Sequence, residues 1–507
     1  MKLCSLLCLS FISFSSLLSA ERKPNIILIS TDDLGWSDLG SYGSEVDTPH
    51  LDRLAHEGIR FTQFHNTAKC FPSRAALITG VYAQDCGYER TFTEPLRNAI
   101  TIGELLQQEG YMTFWSGKHH GYDNPCDRGF DRFYGLKDGA CNYFNPGYQR
   151  EGEAKPAQKR LREWGIDCEI LKPYTPEARD FYTTDAFTTQ AITYVAEAHD
   201  KDTPFFLHLA YTAPHDPLMA WPEDIAKYKG RYDGGYEEIR NERFRKQQAM
   251  GLISEKYKLS TKTHRAWSSL SPEEREFEAK KMEVYAAMID RLDQNIGRLL
   301  SHLQDLNMMD NTIIMLVTDN GASAEIVELD DDNDAGEIGG LDRWLSLGPD
   351  WANVANTPFR FFKNYSYQGG INTPFIVWWP ERIQGNRVSE FPGHLVDIMA
   401  TVIDITGAQY PTTFNQEEVT PLRGQSLLPV LEGQDIPRDT PIYWHWNAGS
   451  AAWAEGWKIV KHIPENPWEL YHLEKDPTEV TNLADENPEM LAKLVALFEE
   501  WEDSYKQ

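Results

Sequence analysis

The sequence has little positive charge and, after its first 20 residues, no long uncharged apolar run. Its 49 Lys and Arg residues stand against 77 Asp and Glu residues, which gives a formal net charge of -28 at pH 7. A nucleic-acid backbone requires clustered cations, so this balance excludes nucleic acid as a partner. The missing apolar run excludes an integral membrane span after the leader. Internal repeats are absent as well, and we expect a soluble protein.

The first 20 residues have the pattern of a secretory signal peptide. Lys2 precedes a mostly apolar run over residues 3–18, and Ala20 offers a cleavage site just before the charged residue Glu21. The run is too short to span a bilayer comfortably. The sequence therefore predicts a periplasmic or secreted protein, with residues 1–20 removed.

Cysteine is scarce, and its scattered spacing is not that of a zinc site. Of the seven cysteines, Cys4 and Cys8 fall in the leader and Cys70 lies in a motif of its own. The other four are Cys86, Cys126, Cys141 and Cys168. In an exported protein they can form two disulfides in any of three pairings, among which the sequence does not choose.

Four short apolar runs predict the strands of an α/β fold. They cover residues 24–30, 111–115, 204–210 and 312–317. Continuous apolar runs of this length are typical of strands buried on both faces of a largely parallel sheet. A capping box at Thr101 and Glu104 opens a helix that stops at Gly110. The pattern therefore predicts a sheet that is flanked by helices.

A second predicted helix is long and begins after Ser271, with Pro272 in its first position. Its apolar residues recur at three-four spacing, as on a helix face that packs against a core. They are Met282, Tyr285, Ile289, Leu292, Ile296, Leu299 and Leu303. We interpret these residues as core, not as a site.

Polar side chains follow each of the four predicted strands. An Asp-Asp pair or an Asp-Asn-Gly run on its own is usually a turn, but here such groups recur at every strand end. Open α/β sheets bind ligands outside the carboxyl ends of their strands, so we expect the groups to converge. They are Asp32, Asp33, Lys118, His120, His215, Asp319 and Asn320.

The alternation of buried strands and helices stops near Gly407. Runs at residues 442–446, 457–460 and 469–473 then predict a small antiparallel sheet, which an amphipathic helix over residues 490–501 closes. The chain exceeds what one core usually supports. We therefore predict a catalytic domain over residues 21–410 and a C-terminal subdomain over residues 411–507.

Residues 69–80 carry the most specific motif in the chain. The segment resembles the defining motif of the sulfatase family, in which Cys-x-Pro-Ser-Arg is followed by Leu-x-Thr-Gly. The matching residues are Cys70, Pro72, Ser73, Arg74, Leu77, Thr79 and Gly80. A lone cysteine ahead of a helix is more often a buried structural thiol, but the unpaired amides at a helix start suit a sulfate ester.

The resemblance covers nearly the whole chain after the leader. Residues 32–36, 48–54, 117–121, 318–321 and 468–473 are similar to sulfatase segments and occur in the family's order, and residues 346–360 are most similar to bacterial arylsulfatase-type members. It implies an alkaline-phosphatase-like α/β fold. That fold has a large mixed, mostly parallel sheet flanked by helices and a smaller C-terminal antiparallel sheet plus helix.

The resemblance also implies a role for each candidate residue. Asp32, Asp33, Asp319 and Asn320 match the ligands of one Ca²⁺ per chain, completed by Cys70 after a maturation enzyme has oxidised it to formylglycine. Such oxygen ligands suit a hard cation. Arg74, Lys118 and Lys363 match cations around the sulfate, and His120 and His215 match the histidines that move protons. Lys118, His215 and Lys363 would also bind the substrate.

The implied mechanism is covalent catalysis by an activated oxygen. The aldehyde hydrates to a geminal diol, one oxygen of which attacks sulfur while the metal and Asp319 favour its deprotonated form. His215, with Lys363 nearby, protonates the departing alcohol. His120 then removes the remaining hydroxyl proton, so that the aldehyde re-forms and sulfate leaves.

Several residues depart from the family pattern. His119 replaces a common tryptophan, Asn372 a frequent arginine and Gln368 a common glutamate, and residues 446–453 lack an arginine-containing stretch. We expect the changes at 119, 372 and 446–453 to affect the pocket wall and not the sulfate centre. The acidic stretch 328–337, which includes Asp330, Asp331 and Asp332, predicts a solvated loop, with a second calcium site as the alternative.

The sequence thus predicts an exported sulfatase that hydrolyses a sulfated carbohydrate or an aryl sulfate. Because that substrate is an anion, we expect a small basic pocket with a bound cation inside an acidic body. One alternative is a phosphodiester or phosphonate hydrolase of the same superfamily. A second is a non-catalytic binder of sulfated glycans, if Cys70 is never converted.

Overall fold

The computed structural model describes residues 22–329, 336–447 and 449–506. The predicted signal peptide and the run from Asp330 to Asp332 lie outside the described residues. Within them, none of the helices combines the length and apolar character that crossing a bilayer requires.

A large mixed sheet forms the centre of the protein. Its strands are β1 (Asn25–Asp32), β2 (Ile59–His65), β3 (Met112–Gly117), β4 (Arg132–Leu136), β5 (Trp164–Ile166), β6 (Glu169–Leu171), β7 (Phe205–Pro214), β8 (Thr312–Thr318), β9 (Asn372–Trp378), β10 (Arg387–Ser389) and β11 (Gly393–His394). Their order is β10-β2-β9-β8-β1-β7-β3-β4-β5-β6, and β11 also pairs with β2.

The middle of this sheet is parallel, as the apolar runs predicted. β8, β1, β7, β3 and β4 run parallel to one another, whereas β9 joins β8 in the antiparallel sense. All eight residues of β1 are buried. The predicted fold class, a large mostly parallel sheet with flanking helices, is confirmed.

The helices of the protein are α1 (Pro49–Glu57), α2 (Cys70–Thr79), α3 (Ile102–Gln108), α4 (Thr183–Asp200), α5 (Pro222–Lys227), α6 (Gly235–Ala249), α7 (Pro272–Asp305), α8 (Gly348–Ala355), α9 (Gln368–Ile371), α10 (Asp397–Thr406), α11 (Leu428–Leu431) and α12 (Pro488–Lys506). The predicted capping box is present at the start of α3, and α7, which begins after Ser271 as predicted, has a capping box as well.

The two faces of the central sheet bury separate hydrophobic cores. Ile27 and Ile29 of β1 pack into one core with residues of α1, α4, α7 and α8. Ile26 and Leu28 point the other way and pack with α2, α3 and α10. This alternation is the period of two along a strand. Because both faces of β1 are buried, its sequence is apolar at successive positions and not only at every second one.

A smaller antiparallel sheet follows the central one in the chain. It consists of β14 (Ile442–Trp446), β15 (Gly449–Ala454), β16 (Trp457–Lys461) and β17 (Glu469–His472), paired in that order. One face packs on α12, and the other packs against Ala68, Tyr367 and Ile371. A two-stranded hairpin, β12 (Thr413–Phe414) and β13 (Glu417–Glu418), precedes it. The boundary at residues 410 and 411 stays a prediction.

The disulfide pattern is simpler than the sequence allowed. Cys126 and Cys168 are bonded, with their Cα atoms 5.7 Å apart. Cys70, Cys86 and Cys141 are free and buried. One bond therefore forms where two were possible, and the free thiol of Cys70 is one of three in the described chain.

A fully buried ion pair joins the small sheet to the segment that leads into α9. Nζ of Lys458 in β16 lies 2.5 Å from Glu479 and also donates to the carbonyl of Ser366 at 2.8 Å. Glu479 in turn accepts the backbone N–H of Gln368 at 2.8 Å. Because neither charge reaches solvent, each depends on the other for its stabilisation.

We expect Lys458→Met to lower the free energy of unfolding by about 3–5 kcal/mol, since it leaves the Glu479 carboxylate buried and unpaired. Adding Glu479→Gln removes that charge and keeps an oxygen for the Gln368 N–H, so the double variant should regain much of the loss. Urea unfolding of the three proteins measures both effects. A single variant as stable as the unsubstituted protein would contradict this assignment.

Candidate active site

The predicted polar residues converge at the carboxyl end of four neighbouring strands. β1 leads into Asp32 and Asp33, and β8 leads into Asp319 and Asn320. The register pairs Thr31 with Thr318, so the two acidic segments start side by side. β3 and β7, the next strands across, lead into Lys118 and His120 and into His215. The sheet topology thus brings together residues that lie almost 290 positions apart in the chain.

Cys70 is the first residue of α2 and lies against this edge of the sheet. The loop before it is fixed by Ser73, whose hydroxyl accepts the Thr67 N–H at 3.0 Å. α2 ends at Gly80, where φ is +72° and an added Cβ would lie 2.5 Å from Met399. Burial raises the pKa of the Cys70 thiol, against the opposing effect of Lys118 and Lys363. An unmodified Cys70 would therefore be a protonated, weak nucleophile.

Cations surround Cys70 and are paired with the acidic residues. Nε of Arg74 donates to Asp319 at 2.8 Å, and its Nη1 donates to the Lys118 carbonyl at 3.0 Å. Lys118 forms a short ion pair with Asp32, and Lys363 lies 2.8 Å from Asp33. Each of these side chains is at most 2% exposed.

Three oxygen atoms in this cluster are buried and accept no hydrogen bond. They are Oδ1 of Asp32, Oδ1 of Asp319 and Oδ1 of Asn320. The Asn320 amide is turned so that its NH₂ donates to Asp33 at 2.6 Å, and its oxygen is left without a donor. Burial and the nearby Asp32 raise the pKa of Asp319 to about 6. Oxygen atoms that lack donors in a crowded acidic cluster fit an oxygen-preferring divalent cation.

His215 lies beside this cluster. Ligand atoms of Asp32, Asp33 and His215 come within 4.8 Å of one another. Nδ1 of His215 donates to the Asp216 carbonyl at 2.6 Å, which leaves Nε2 facing Asp33 at 3.5 Å. Burial lowers the pKa of His215, while Asp33 opposes this effect. For Asp33, burial acts to raise the pKa, but the combined effect of His215 and Lys363 is larger and lowers it to about 2.

His120 lies on the Cys70 side of the site, in a left-handed backbone conformation with φ of 59°. Its ring contacts Phe92 at 4.7 Å and Phe71 at 5.9 Å between ring centroids. Burial, reinforced by Lys118 and Arg74, lowers the pKa of His120 well below its ordinary value. His120 is therefore a neutral imidazole, which can accept a proton.

A buried network beneath the loop after β1 was missed by the sequence reasoning. The Tyr285 hydroxyl shares its proton between Asp38 at 2.7 Å and the Asp33 carbonyl at 3.1 Å. Arg243 donates to the other oxygen of Asp38 at 2.6 Å. The interpretation of Tyr285 as core is correct for its ring, which is buried in the core. Its hydroxyl, however, fixes the loop that presents Asp33, and the need of a buried hydroxyl for a partner was the available signal.

The departures from the family pattern lie in different places. His119 is buried and packs on Trp115, with ring centroids 5.0 Å apart, and the Asn372 amide donates to the Thr62 carbonyl inside the sheet. Both side chains thus contact the buried framework, and the expectation that they affect the pocket wall stays a prediction. Trp446 does lie near the site, 5.3 Å from Phe71. Gln368 is also framework, since it bonds Glu479 and His65.

Comparison with known proteins gives consistent matches along the chain. The family model described as sulfatase matches residues 24–408, and a model of the C-terminal part of N-sulphoglucosamine sulphohydrolase matches residues 359–504. An uncharacterized sulfatase of Schizosaccharomyces pombe is 32% identical over 94% of this chain and 92% of its own length. An arylsulfatase of Klebsiella aerogenes is 31% identical over 80% of this chain and 92% of its own.

A solved structure shares the whole architecture. The crystal structure of Ps i-CgsB in complex with k-i-k-neocarrahexaose superimposes with a TM-score of 0.69 at 27% sequence identity. The match covers 95% of this chain and 93% of that one. The fold of this chain is therefore shared with that protein over nearly the whole length of both.

Proposed function

The chain belongs to the sulfatase family and is a sulfuric ester hydrolase, and we propose that it is exported and works through a formylglycine made from Cys70. The observation that carries the proposal is the position of Cys70. It begins α2, is buried among Arg74, Lys118 and Lys363, and has a raised thiol pKa, which disfavours direct attack by the unmodified thiol. Residues 1–20 support export to the periplasm or beyond, and a maturation enzyme would act on Cys70.

We assign the metal site to Asp32, Asp33, Asp319 and Asn320, with the modified Cys70 as the last ligand. The oxygens without donors and the raised pKa of Asp319 support a divalent cation, and a set of oxygen atoms favours Ca²⁺. When bound, the cation supplies positive charge that favours a deprotonated oxygen at residue 70. We assign the His215 imidazole to proton transfer, because a hard cation prefers oxygen to nitrogen.

The charges of the site support an anionic substrate. Arg74, Lys118 and Lys363 are balanced by Asp32, Asp33 and Asp319. A bound divalent cation leaves this balanced set with a positive excess, which a sulfate ester can neutralise. With that cation bound, the site would be the small basic pocket that we propose inside an acidic chain. Donors placed around developing charge each typically contribute several kcal/mol to catalysis.

We assign the two histidines to opposite proton transfers. His215 has a lowered pKa and faces Asp33 through Nε2; once it has taken up a proton there, which the Asp33 carboxylate stabilises, it would with Lys363 give that proton to the departing alcohol oxygen as the sulfur–oxygen bond breaks. His120 is held neutral, so it would accept the proton of the second hydroxyl at residue 70 while inorganic sulfate leaves. After one water has added to the aldehyde, the resulting geminal diol has two oxygens, one to attack sulfur and one to lose this proton as the aldehyde re-forms.

We propose a sulfated carbohydrate as the natural substrate class, with aryl sulfates as small stand-ins. The solved relative that holds k-i-k-neocarrahexaose supports this choice. So do Phe92 and Trp446, which are half-buried next to Phe71 and offer aromatic faces beside Cys70.

Kinetics with the sulfate and the phosphate ester of one alcohol test the proposed reaction. We expect kcat/KM for 4-nitrophenyl sulfate to exceed that for 4-nitrophenyl phosphate and for bis(4-nitrophenyl) phosphate by at least about a hundredfold, since the site is arranged for one reacting group. A clear preference for either phosphate would contradict the proposal and favour a phosphoryl-ester hydrolase. Binding of sulfated glycans without turnover by protein that carries formylglycine would favour the non-catalytic alternative.

A further inference from the structure

A glutamate that the family resemblance did not single out lies at the outer edge of the site. Oε1 of Glu325 accepts a hydrogen bond from Nζ of Lys69 at 2.6 Å and from the Asn364 amide at 3.1 Å. Its Oε2 lies 3.1 Å from Nζ of Lys363. Glu325 therefore joins the residue before Cys70 to the lysine beside the predicted general acid.

Glu325 lies on the solvent side of Lys363. The Lys363 side chain is 1% exposed, whereas that of Glu325 is 39% exposed. Lys363 and His215 both lie near Oδ2 of Asp33, at 3.0 and 3.5 Å. If these two residues face the departing oxygen, the next group outward from them is the Glu325 carboxylate. A leaving group that extends from Lys363 towards solvent would then pass this carboxylate.

Trp446, Asn364 and Lys69 form the rest of this edge. The Trp446 indole N–H donates to the Asn364 side-chain oxygen at 3.0 Å, so the Trp446 ring is fixed relative to Glu325. Nζ of Lys69 lies 6.0 Å from the centre of the same ring. Burial raises the pKa of Glu325, but the larger combined effect of Lys363 and Lys69 holds it well below its ordinary range. The carboxylate is therefore charged at neutral pH.

We propose that Glu325 selects the leaving group: it accepts a hydrogen bond from a hydroxyl next to the sulfate ester and rejects a second anionic group there. This inference rests on the proposed function and narrows its substrate class to alcohols that carry an isolated sulfate beside a free hydroxyl. The exposed edge of the Glu325 carboxylate can only accept hydrogen bonds, so a hydroxyl can supply the donor. A neighbouring sulfate or carboxylate would instead bring two negative charges together, which weakens binding.

Three aryl sulfates on one ring test this selection without knowledge of the natural sugar. Phenyl sulfate has no neighbouring group, 2-hydroxyphenyl sulfate has a hydroxyl, and 2-carboxyphenyl sulfate has an anion beside the ester. We expect the ratio of kcat/KM for the carboxyl ester to that for the hydroxyl ester to rise about tenfold or more in Glu325→Gln. Comparing one ratio across variants cancels the intrinsic reactivity of the two esters.

The exposed Glu328, three residues further on, supplies the matched control. Glu328→Gln removes the same charge from the same segment and should leave the ratio unchanged. A ratio that Glu325→Gln does not move, or that both variants move equally, would overturn the proposal.

Binding separates this inference from the proposed reaction. Titration calorimetry of the two esters into Cys70→Ala and into Cys70→Ala/Glu325→Gln requires no turnover. We expect the preference for the hydroxyl ester over the carboxyl ester to fall about tenfold when Glu325 is replaced. If no sulfate ester is hydrolysed but this shift occurs, the proposed reaction fails and the selection by Glu325 stands. An unchanged preference in binding would contradict it.

Discussion

Replacement of Cys70 by alanine is expected to abolish sulfate-ester hydrolysis and to leave the fold intact. The loss should be on the order of a million-fold in kcat, the scale that follows removal of a covalent nucleophile. Cys70 makes no disulfide, so its replacement removes one buried sulfur and should cost only about 1 kcal/mol of stability. Steady-state hydrolysis of 4-nitrophenyl sulfate and urea unfolding measure the two effects.

Cys141→Ala is the matched control for this experiment. Cys141 is also free and 2% exposed, and burial raises the pKa of its thiol to about 12. We expect this variant to lose a similar amount of stability and to retain turnover. Retained activity in Cys70→Ala would show that the nucleophile lies elsewhere. Equal loss of activity in both variants would point to a general effect of core thiols.

Asp319→Asn is expected to abolish binding of the proposed metal and to lower kcat by about a thousandfold, which corresponds to about 4 kcal/mol. The substitution keeps the shape of the side chain but removes a charge from the oxygen cluster. It also leaves Arg74 facing a neutral partner, because Nε of Arg74 is bonded to Asp319. Metal analysis after dialysis and kcat at saturating Ca²⁺ measure the two effects.

The control for Asp319→Asn is a buried carboxylate outside the site. Asp224 in α5 is 2% exposed and pairs with Lys227 at 2.9 Å. Asp224→Asn should keep its metal and its kcat. Full metal content with unchanged kcat in Asp319→Asn would contradict the assignment of Asp319 as a ligand.

The convergence of the site could be predicted from the sequence because it depends on local signals. An apolar run predicts each strand, and the polar group follows directly after it in the sequence. The parallel topology is then sufficient to bring Asp32 and Asp319 together. The helix starts at Thr101 and Ser271 were equally predictable, since a capping box is a pattern within four residues.

Features that depend on distant partners were beyond such reasoning. β15 has a sequence of Gly, Ser and Ala with one Trp, so it shows little strand propensity and forms because β14 and β16 flank it. No sequence pattern links Lys458 to Glu479, so their ion pair could not be predicted from the sequence. Glu325 looks like an ordinary loop glutamate until the fold brings Lys69 and Lys363 to either side of it.

The most direct test of the account is mass spectrometry of the peptide that contains Cys70. The protein should be purified in active form after expression beside a maturation enzyme. We predict that the residue at position 70 has the mass of formylglycine, with CHO in place of CH₂SH, and that the converted fraction scales with kcat across preparations. Fully active protein whose Cys70 peptide has the mass of an unmodified thiol would contradict the account.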